Sequence, residues 1–132
     1  MADTLQFDLV SPERRLASVK ALRIQLPGTS GDFTALPKHA PFLTTLRPGV
    51  IQVTSETETV EYVVTGGFAE VSADAATVLA ERAVERSAVA AGMLDDLHKE
   101  AEKAAAEAPE DARIAANQRV NDVATLRKQL GL

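Results

Sequence analysis

The chain has no cysteine in its 132 residues. That excludes a disulfide framework and thiolate chemistry, and it fits a reducing compartment. Histidine is almost as scarce, with only His39 and His98. No histidine pair is spaced for a metal, and cysteine ligands are absent, so zinc sites and the histidine-rich metal sandwiches of cupin-like enzymes are disfavoured. There is no Gly-x-x-x-x-Gly-Lys-Ser/Thr loop for phosphates, since Phe68 follows Gly66-Gly67. No apolar run approaches the roughly 18 residues of a membrane span. Met1-Ala-Asp-Thr-Leu5 lacks a basic region followed by an apolar core, so no secretory leader is expected. Basic clusters are also missing and the net charge is −5, which disfavours nucleic acid as a partner.

What is present is the balance of a soluble globular protein, 45% hydrophobic and 25% charged. The length suits one domain, or a domain with a small appendage. Charge marks no boundary, because both halves are mildly acidic. Composition does mark one. Phe7, Phe33, Phe42, Tyr62 and Phe68 are all the aromatic residues, and every proline but Pro109 lies before residue 49. From Ser87 onward Ala, Glu, Lys, Leu and Arg dominate. The expected fold is α+β in two parts: a β-sandwich of about 8–10 short strands over residues 1–86, then an antiparallel two-helix hairpin over residues 87–132.

Leu5, Phe7 and Leu9 alternate with Gln6 and Asp8, the period of a strand. Ser11-Pro12-Glu13-Arg14 is a turn. Leu16 to Leu26 reads as one long or bent strand, and Pro27-Gly-Thr-Ser-Gly-Asp32 as a loop. Short strands follow around Phe33–Ala35 and Phe42–Leu46. Pro48-Gly49 turns the chain into Val50–Thr54, Ser55–Glu58 is a hairpin tip, and Val60–Thr65 returns. Gly66-Gly67 suits a bulge or a tight turn. Phe68–Ser72 and Thr77–Ala83 are the last pair. On local chemistry alone, the prolines and glycines between residues 31 and 53 are ordinary turns of a β-domain.

In the remainder, Ser87 is a plausible N-cap. Val89, Met93, Leu97 and Ala101 recur every four residues, with Leu94, Ala104 and Ala108 beside them. Ala108-Pro109 stops this helix, and Pro109 is placed to open the next. There Ala116, Val120, Val123, Leu126 and Leu130 form the stripe, and Gly131 closes it. The stripes are thin and rich in alanine, so both helices must lean on each other or on something else. The acidic residues read as solvated surface charge.

Gly31-Asp-Phe33, Leu36-Pro-Lys-His-Ala-Pro-Phe-Leu-Thr44 and Leu46-Arg-Pro-Gly-Val50 form a combination that resembles the signature of the epsilon subunit of F-type ATP synthases. Val64-Thr-Gly-Gly-Phe-Ala-Glu-Val71 and Thr77-Val-Leu-Ala80 extend the likeness over most of the first 85 residues, and it continues more loosely to the end. The resemblance implies a β-sandwich followed by a helical hairpin able to fold down or extend. It implies a non-catalytic rotor subunit, without cofactor, at the foot of the central stalk. Its partners would be the gamma subunit and the ring of membrane c subunits, with the alpha/beta catalytic head within reach of the hairpin. Its place would be peripheral, on the cytoplasmic face of an energy-transducing membrane such as the bacterial inner membrane, without direct insertion.

In that family the acidic residue after the first glycine of the signature sits on the face that meets the c ring. Asp32 matches it, where many relatives have Glu. Gly31, Asp32, Phe33, Lys38 and His39 are therefore the expected ring contacts, with Lys38 where Gly is common. Some epsilon subunits bind ATP through Ile or Leu, Asp, two variable residues, Arg and Ala at the start of the hairpin. Counting without gaps lands on Val89–Leu94, which has neither Asp nor Arg. Sliding gives Leu94-Asp95-Asp96-Leu97-His98-Lys99, with His98 in the arginine position. A neutral histidine lacks arginine's fixed charge and five donors, so the motif is degenerate here. The second helix has Arg113, Arg119, Arg127 and Lys128 against Glu110, Asp111 and Asp122, a small positive surplus for gripping an acidic head. A hairpin resting mostly folded on the sandwich, with weak inhibition of hydrolysis, is expected. Two other classes fit the residues alone: a stand-alone β-sandwich module for a small ligand or peptide, and an enzyme whose site the sequence does not display.

Overall fold

The computed structural model describes residues 3–132. By its internal contacts the chain divides after Ser87 into two compact units. The first contains ten strands: β1 (Leu5–Val10), β2 (Arg15–Ala21), β3 (Arg23–Gly28), β4 (Gly31–Ala35), β5 (Phe42–Leu46), β6 (Gly49–Thr54), β7 (Thr59–Val64), β8 (Gly67–Val71), β9 (Ala75–Ala80) and β10 (Ala83–Glu85). The period of two builds these elements. In β1, Leu5, Phe7 and Leu9 are buried while Gln6, Asp8 and Val10 are half-buried, and Gly49, Ile51 and Val53 repeat the pattern in β6.

The hydrogen-bonding order is β10-β7-β6-β3-β5-β8-β9-β1-β2, with β4 paired to β3. β3 and β5 join only at Gly28 opposite Leu46. That narrow junction separates a layer of β10, β7, β6 and β3, flanked by β4, from a layer of β5, β8, β9, β1 and β2. The layers face each other across the core. Phe7 of β1 and Tyr62 of β7, distant in strand order, have ring centroids 6.5 Å apart. One buried cluster spans both layers and includes Phe7, Leu9, Ile24, Leu26, Ile51 and Val78. Full burial of each such large side chain stabilises by about 1.5–3 kcal/mol. Tyr62 shares this interior. Burial, and then the charges of Glu85 and Glu58, push its phenol up from the ordinary tyrosine value.

Three expectations for this unit are corrected. Residues 16–26 form two strands: β2 pairs with β1 in one layer and β3 with β6 in the other. Ala21 and Ile24 are both buried, a spacing of three that breaks the alternation where the chain changes layers. The stretch from Pro27 to Asp32 is mostly strand, with Thr29-Ser30 alone between Gly28 and Gly31, which pair. Pro27 lies within β3, and its carbonyl accepts from the Arg47 amide at 3.0 Å. Ala83 belongs to a separate strand, β10, which pairs with β7. Gly67 opens β8 with φ of +150°, and a Cβ there would come within 2.4 Å of the Leu79 carbonyl oxygen. The glycine is needed for this close approach of β8 to β9. The Ser55–Glu58 tip forms as expected, with the Ser55 amide donating to the Glu58 carbonyl at 2.8 Å.

The second unit is a pair of helices, α1 (Ala91–Glu107) and α2 (Arg113–Leu130). Leu94, Leu97 and Ala101 of α1 and Val123 and Leu126 of α2 are buried. Asp95 near the start of α1 is bound by Arg127 near the end of α2, so the helices run antiparallel. The start signals need correction. A 3-10 turn takes Arg86–Ala88, including Ser87, and α1 begins after Ala90 with no side-chain cap. Val89 therefore precedes the helix, and Ala104 is exposed. Pro109 opens a 3-10 turn at Glu110–Ala112, and α2 starts only at Arg113. The end signal holds. Gly131 is left-handed with φ of +73°, its amide donates to Lys128 and that of Leu132 to Arg127, as in a Schellman cap.

Candidate functional site

The β3–β4 tip is tied to the end of β5 and to Arg47, which follows it. The Thr29 amide and hydroxyl both donate to the Thr45 carbonyl, at 3.0 and 2.6 Å. Arg47 Nη1 donates to the Gly28 carbonyl at 2.5 Å, and its Nη2 is ion-paired with Asp32 Oδ1. Gly31 takes φ of +137° to make the tight turn. Phe33 meets Phe42 edge to face, with ring centroids 5.2 Å apart, and Phe42 in turn meets the His39 ring at 6.4 Å. Phe42 is exposed, so this ring contact lies at the surface, while Phe33 packs against the core.

Leu36-Pro-Lys-His39 forms a tight turn, closed by the His39 amide donating to the Leu36 carbonyl at 3.1 Å. Pro37 occupies its second position and Lys38 its third, with φ of +70°. This is the pattern of a type II turn, whose third position ordinarily takes Gly. The geometry explains why the signature favours Gly at this position, where this chain carries Lys38 at a conformational cost. The Lys38 amide donates to the Ala73 carbonyl at 2.6 Å, and its Nζ lies 3.3 Å from Asp3 Oδ2. His39 Nδ1 lies 2.5 Å from the Ala40 carbonyl, so this nitrogen carries the proton.

The five expected contact residues thus form two groups. Asp32 is held by Arg47, which follows the last residue of β5. Lys38 is held beside Ala73, next to the strand pair that begins β5. The Phe33–Phe42–His39 chain connects them. Gly31 and Asp32 are not brought against Lys38.

A second surface went unrecognised in the sequence. On the outer side of the β5-β8-β9-β1 layer, register sets Thr45, Phe68, Leu79 and Val10 in one row. Leu43 lies two residues along β5 on the same side. Leu43 is 58% exposed, Phe68 36% and Leu79 53%, which makes a contiguous apolar stripe. An open groove of about 420 Å³ adjoins it, lined by Val10, Pro12, Gly67 and Leu79 among others. The signal was available in β8, where small Gly67 and Ala69 alternate with large Phe68. The smaller residues face the core, which leaves the phenyl ring outside.

On the hairpin, Leu94 is buried in the seam between the helices. Asp95 and His98 both face α2. Arg127 Nη2 donates to Asp95 Oδ1 at 2.5 Å, and Nη1 stands 3.0 Å from His98 Nδ1. Arginine offers no acceptor, so the ring nitrogen accepts and the imidazole proton lies on Nε2, 3.5 Å from Glu102. The guanidinium absent at position 98 in sequence is supplied from the other helix, and it occupies both side chains of the degenerate motif. Among the described residues, no group of three or more His, Asp or Glu could hold a metal ion. No helix among them is long and apolar enough to cross a membrane.

Comparison with known proteins gives one answer. The ATP synthase epsilon chain of Rhodobacter capsulatus is 50% identical over 132 residues, covering all of both chains. In fold, the chain resembles a component of the Euglena gracilis mitochondrial ATP synthase, in a structure that includes the c-ring. The TM-score is 0.73 at 21% identity, over 96% of this chain and 81% of that one. A chain from the central stalk and c-ring of the Tetrahymena thermophila mitochondrial ATP synthase gives a TM-score of 0.71 at 18% identity, over 96% of each. The family described as "ATP synthase, Delta/Epsilon chain, beta-sandwich domain" matches residues 4–86, and the chain belongs to that ATP synthase delta/epsilon family.

Proposed function

We propose that this chain is the non-catalytic epsilon-type rotor subunit of a proton-translocating F-type ATP synthase, coupling the gamma subunit to the c ring. The observation that carries the reading is end-to-end identity of 50% with a protein named ATP synthase epsilon chain. It sits peripherally on the cytoplasmic face of the bacterial inner membrane and makes or breaks no bond itself. The apolar stripe of Leu43, Phe68 and Leu79 suits a permanent partner, since a patch of this kind left in water favours association. Gamma takes this face. The c ring takes Gly31, Asp32 and Phe33, with Lys38 and His39 flanking.

Residues 1–86 supply the core and suffice for assembly. The hairpin contributes weak regulation, because Arg127 already occupies Asp95 and His98 and the surplus charge of α2 is small. Binding to a gamma-type subunit tests the reading. The full chain and a chain ending at Arg86 should both be retained, whereas F68E/L79K should weaken binding at least tenfold, about 1.4 kcal/mol. A full chain that stays monomeric and ignores gamma would instead identify a stand-alone sandwich module. Loss of binding on truncation alone would make the hairpin part of the interface.

A further inference from the structure

We infer that Arg47 is the positioning residue of the β3–β4 tip, and that Asp32 meets the c ring as one half of an ion pair instead of as a free carboxylate; this rests on the rotor reading above. Apart from the Gly28–Gly31 pairing and the two bonds from Thr29 to the Thr45 carbonyl, the tip has little to fix it. Thr29-Ser30 are exposed, Gly31 has no heavy atom within 4 Å of where a Cβ would stand, and its φ of +137° belongs to a permissive residue. A chain so built has much conformational freedom to lose. Arg47 removes that freedom at three points. Its amide holds the Pro27 carbonyl at 3.0 Å, Nη1 holds the Gly28 carbonyl at 2.5 Å, and Nη2 holds Asp32. The ties fall on both strands of the tip.

The two partners differ in exposure. The Arg47 side chain is 28% exposed and that of Asp32 75%. The guanidinium is therefore fixed from the protein side, and the carboxylate points outward already paired. A planar fork can hold a carbonyl with one prong and a carboxylate with the other, which an ammonium cannot. What the tip shows a partner is a nearly neutral polar pair beside the Phe33 ring. A polar, uncharged loop surface fits it. A cation on the partner would have to compete with Arg47 for the same oxygen.

The test uses the full chain assembled with gamma and the c ring, and measures ring association for D32N, R47Q, R47K and D32N/R47Q. Each single neutralisation should weaken association by about threefold to fivefold, the upper range for an exposed pair. The double variant should weaken it no further, and R47K should fall between wild type and R47Q. Binding to gamma and the thermal midpoint should stay close to wild type, which a residue of merely structural importance would not allow. In the isolated chain, R47Q should accelerate amide exchange at Thr29 several-fold while exchange at Ile51 in the core is unchanged. If R47Q leaves ring association unchanged or tightens it while D32N weakens it, Asp32 acts as a free anion and the inference falls. Additive losses in the double variant would have the same meaning. Should R47Q unfold, R47K at wild-type strength and wild-type exchange at Thr29 would equally overturn it. If the wild-type chain ignores the ring, the rotor reading fails instead, and the exchange measurement still decides whether Arg47 holds the tip.

Discussion

The sandwich and the hairpin bury their side chains in different ways. In the sandwich, Phe7, Leu9, Ile24, Ile51 and Val78 are enclosed between two layers, and neighbours on several strands fix each one. In the hairpin, Leu94, Leu97 and Ala101 meet Val123 and Leu126 along a single seam, while Ile114 at the start of α2 is 86% exposed. Neither helix has a side-chain cap at its start. Short helices with so narrow a seam are marginal in water. One unit thus carries its conformation in its own interior, and the other depends on its surroundings.

The sharpest way to break this contrast is a pair of truncations. Phe7→Ala should cost about 3–5 kcal/mol, a large part of the roughly 5–15 kcal/mol that holds a domain together. Urea unfolding followed at Tyr62 should show it. Leu97→Ala should cost about 2–3 kcal/mol locally and melt most of the helical signal. Core amide exchange in β6 and β9 should then stay as it was. Loss of core protection with Leu97→Ala would mean that the two units are one cooperative structure.

A smaller effect is expected at Arg127, whose two prongs bridge Asp95 and His98. Arg127→Ala should destabilise the hairpin by about 1 kcal/mol, less in high salt because the pair is half exposed. Helicity of the chain against temperature, at low and high ionic strength, measures this directly. A salt-independent loss would mean that the arginine stem, packed along the seam, matters more than its charge.

The smallest effect runs the other way. Lys38 sits at φ of +70°, where a side chain costs about 1–2 kcal/mol that glycine avoids. Glycine gives back about 0.5–1 kcal/mol in chain entropy. Lys38→Gly should therefore gain about 0.5 kcal/mol and raise the sandwich's midpoint by about 2–4 °C. An unchanged or lower midpoint would show that the Lys38–Asp3 ion pair is worth more than exposed pairs usually are.

Much of the sandwich is legible because its signals are local. Alternation marks β1 and β6, the polar run marks the Ser55–Glu58 tip, and the aromatic boundary at residue 69 separates the compositions. The misreadings share one cause. At Pro27-Gly28, local turn chemistry says loop, but pairing with Gly31, Asp32, Leu46 and Arg47 makes the segment a strand. At Ser87, a good capping residue is taken up by a 3-10 turn, and the alanines after it leave the helix start open. The candidate site divides in the same way. Asp32, Lys38 and His39 stand out by sequence pattern. Arg47 lies 15 residues from Asp32, and Arg127 lies 32 from Asp95, so no window along the chain could pair them.

The position of β1 bears on how the protein is made. β1 lies between β2 and β9 and pairs with β9 in parallel, Gln6 opposite Ala75 through Val10 opposite Leu79. During synthesis β1 must therefore wait for β9 before its second edge is covered. At about 5–20 residues per second, that wait is of the order of several seconds. During it, Leu5, Phe7 and Leu9 have no layer to enter. Pairings this distant along the chain also close slowly compared with helical contacts. Until β9 is made, the nascent β1–β2 hairpin keeps one open edge, the kind of edge that invites pairing with another chain.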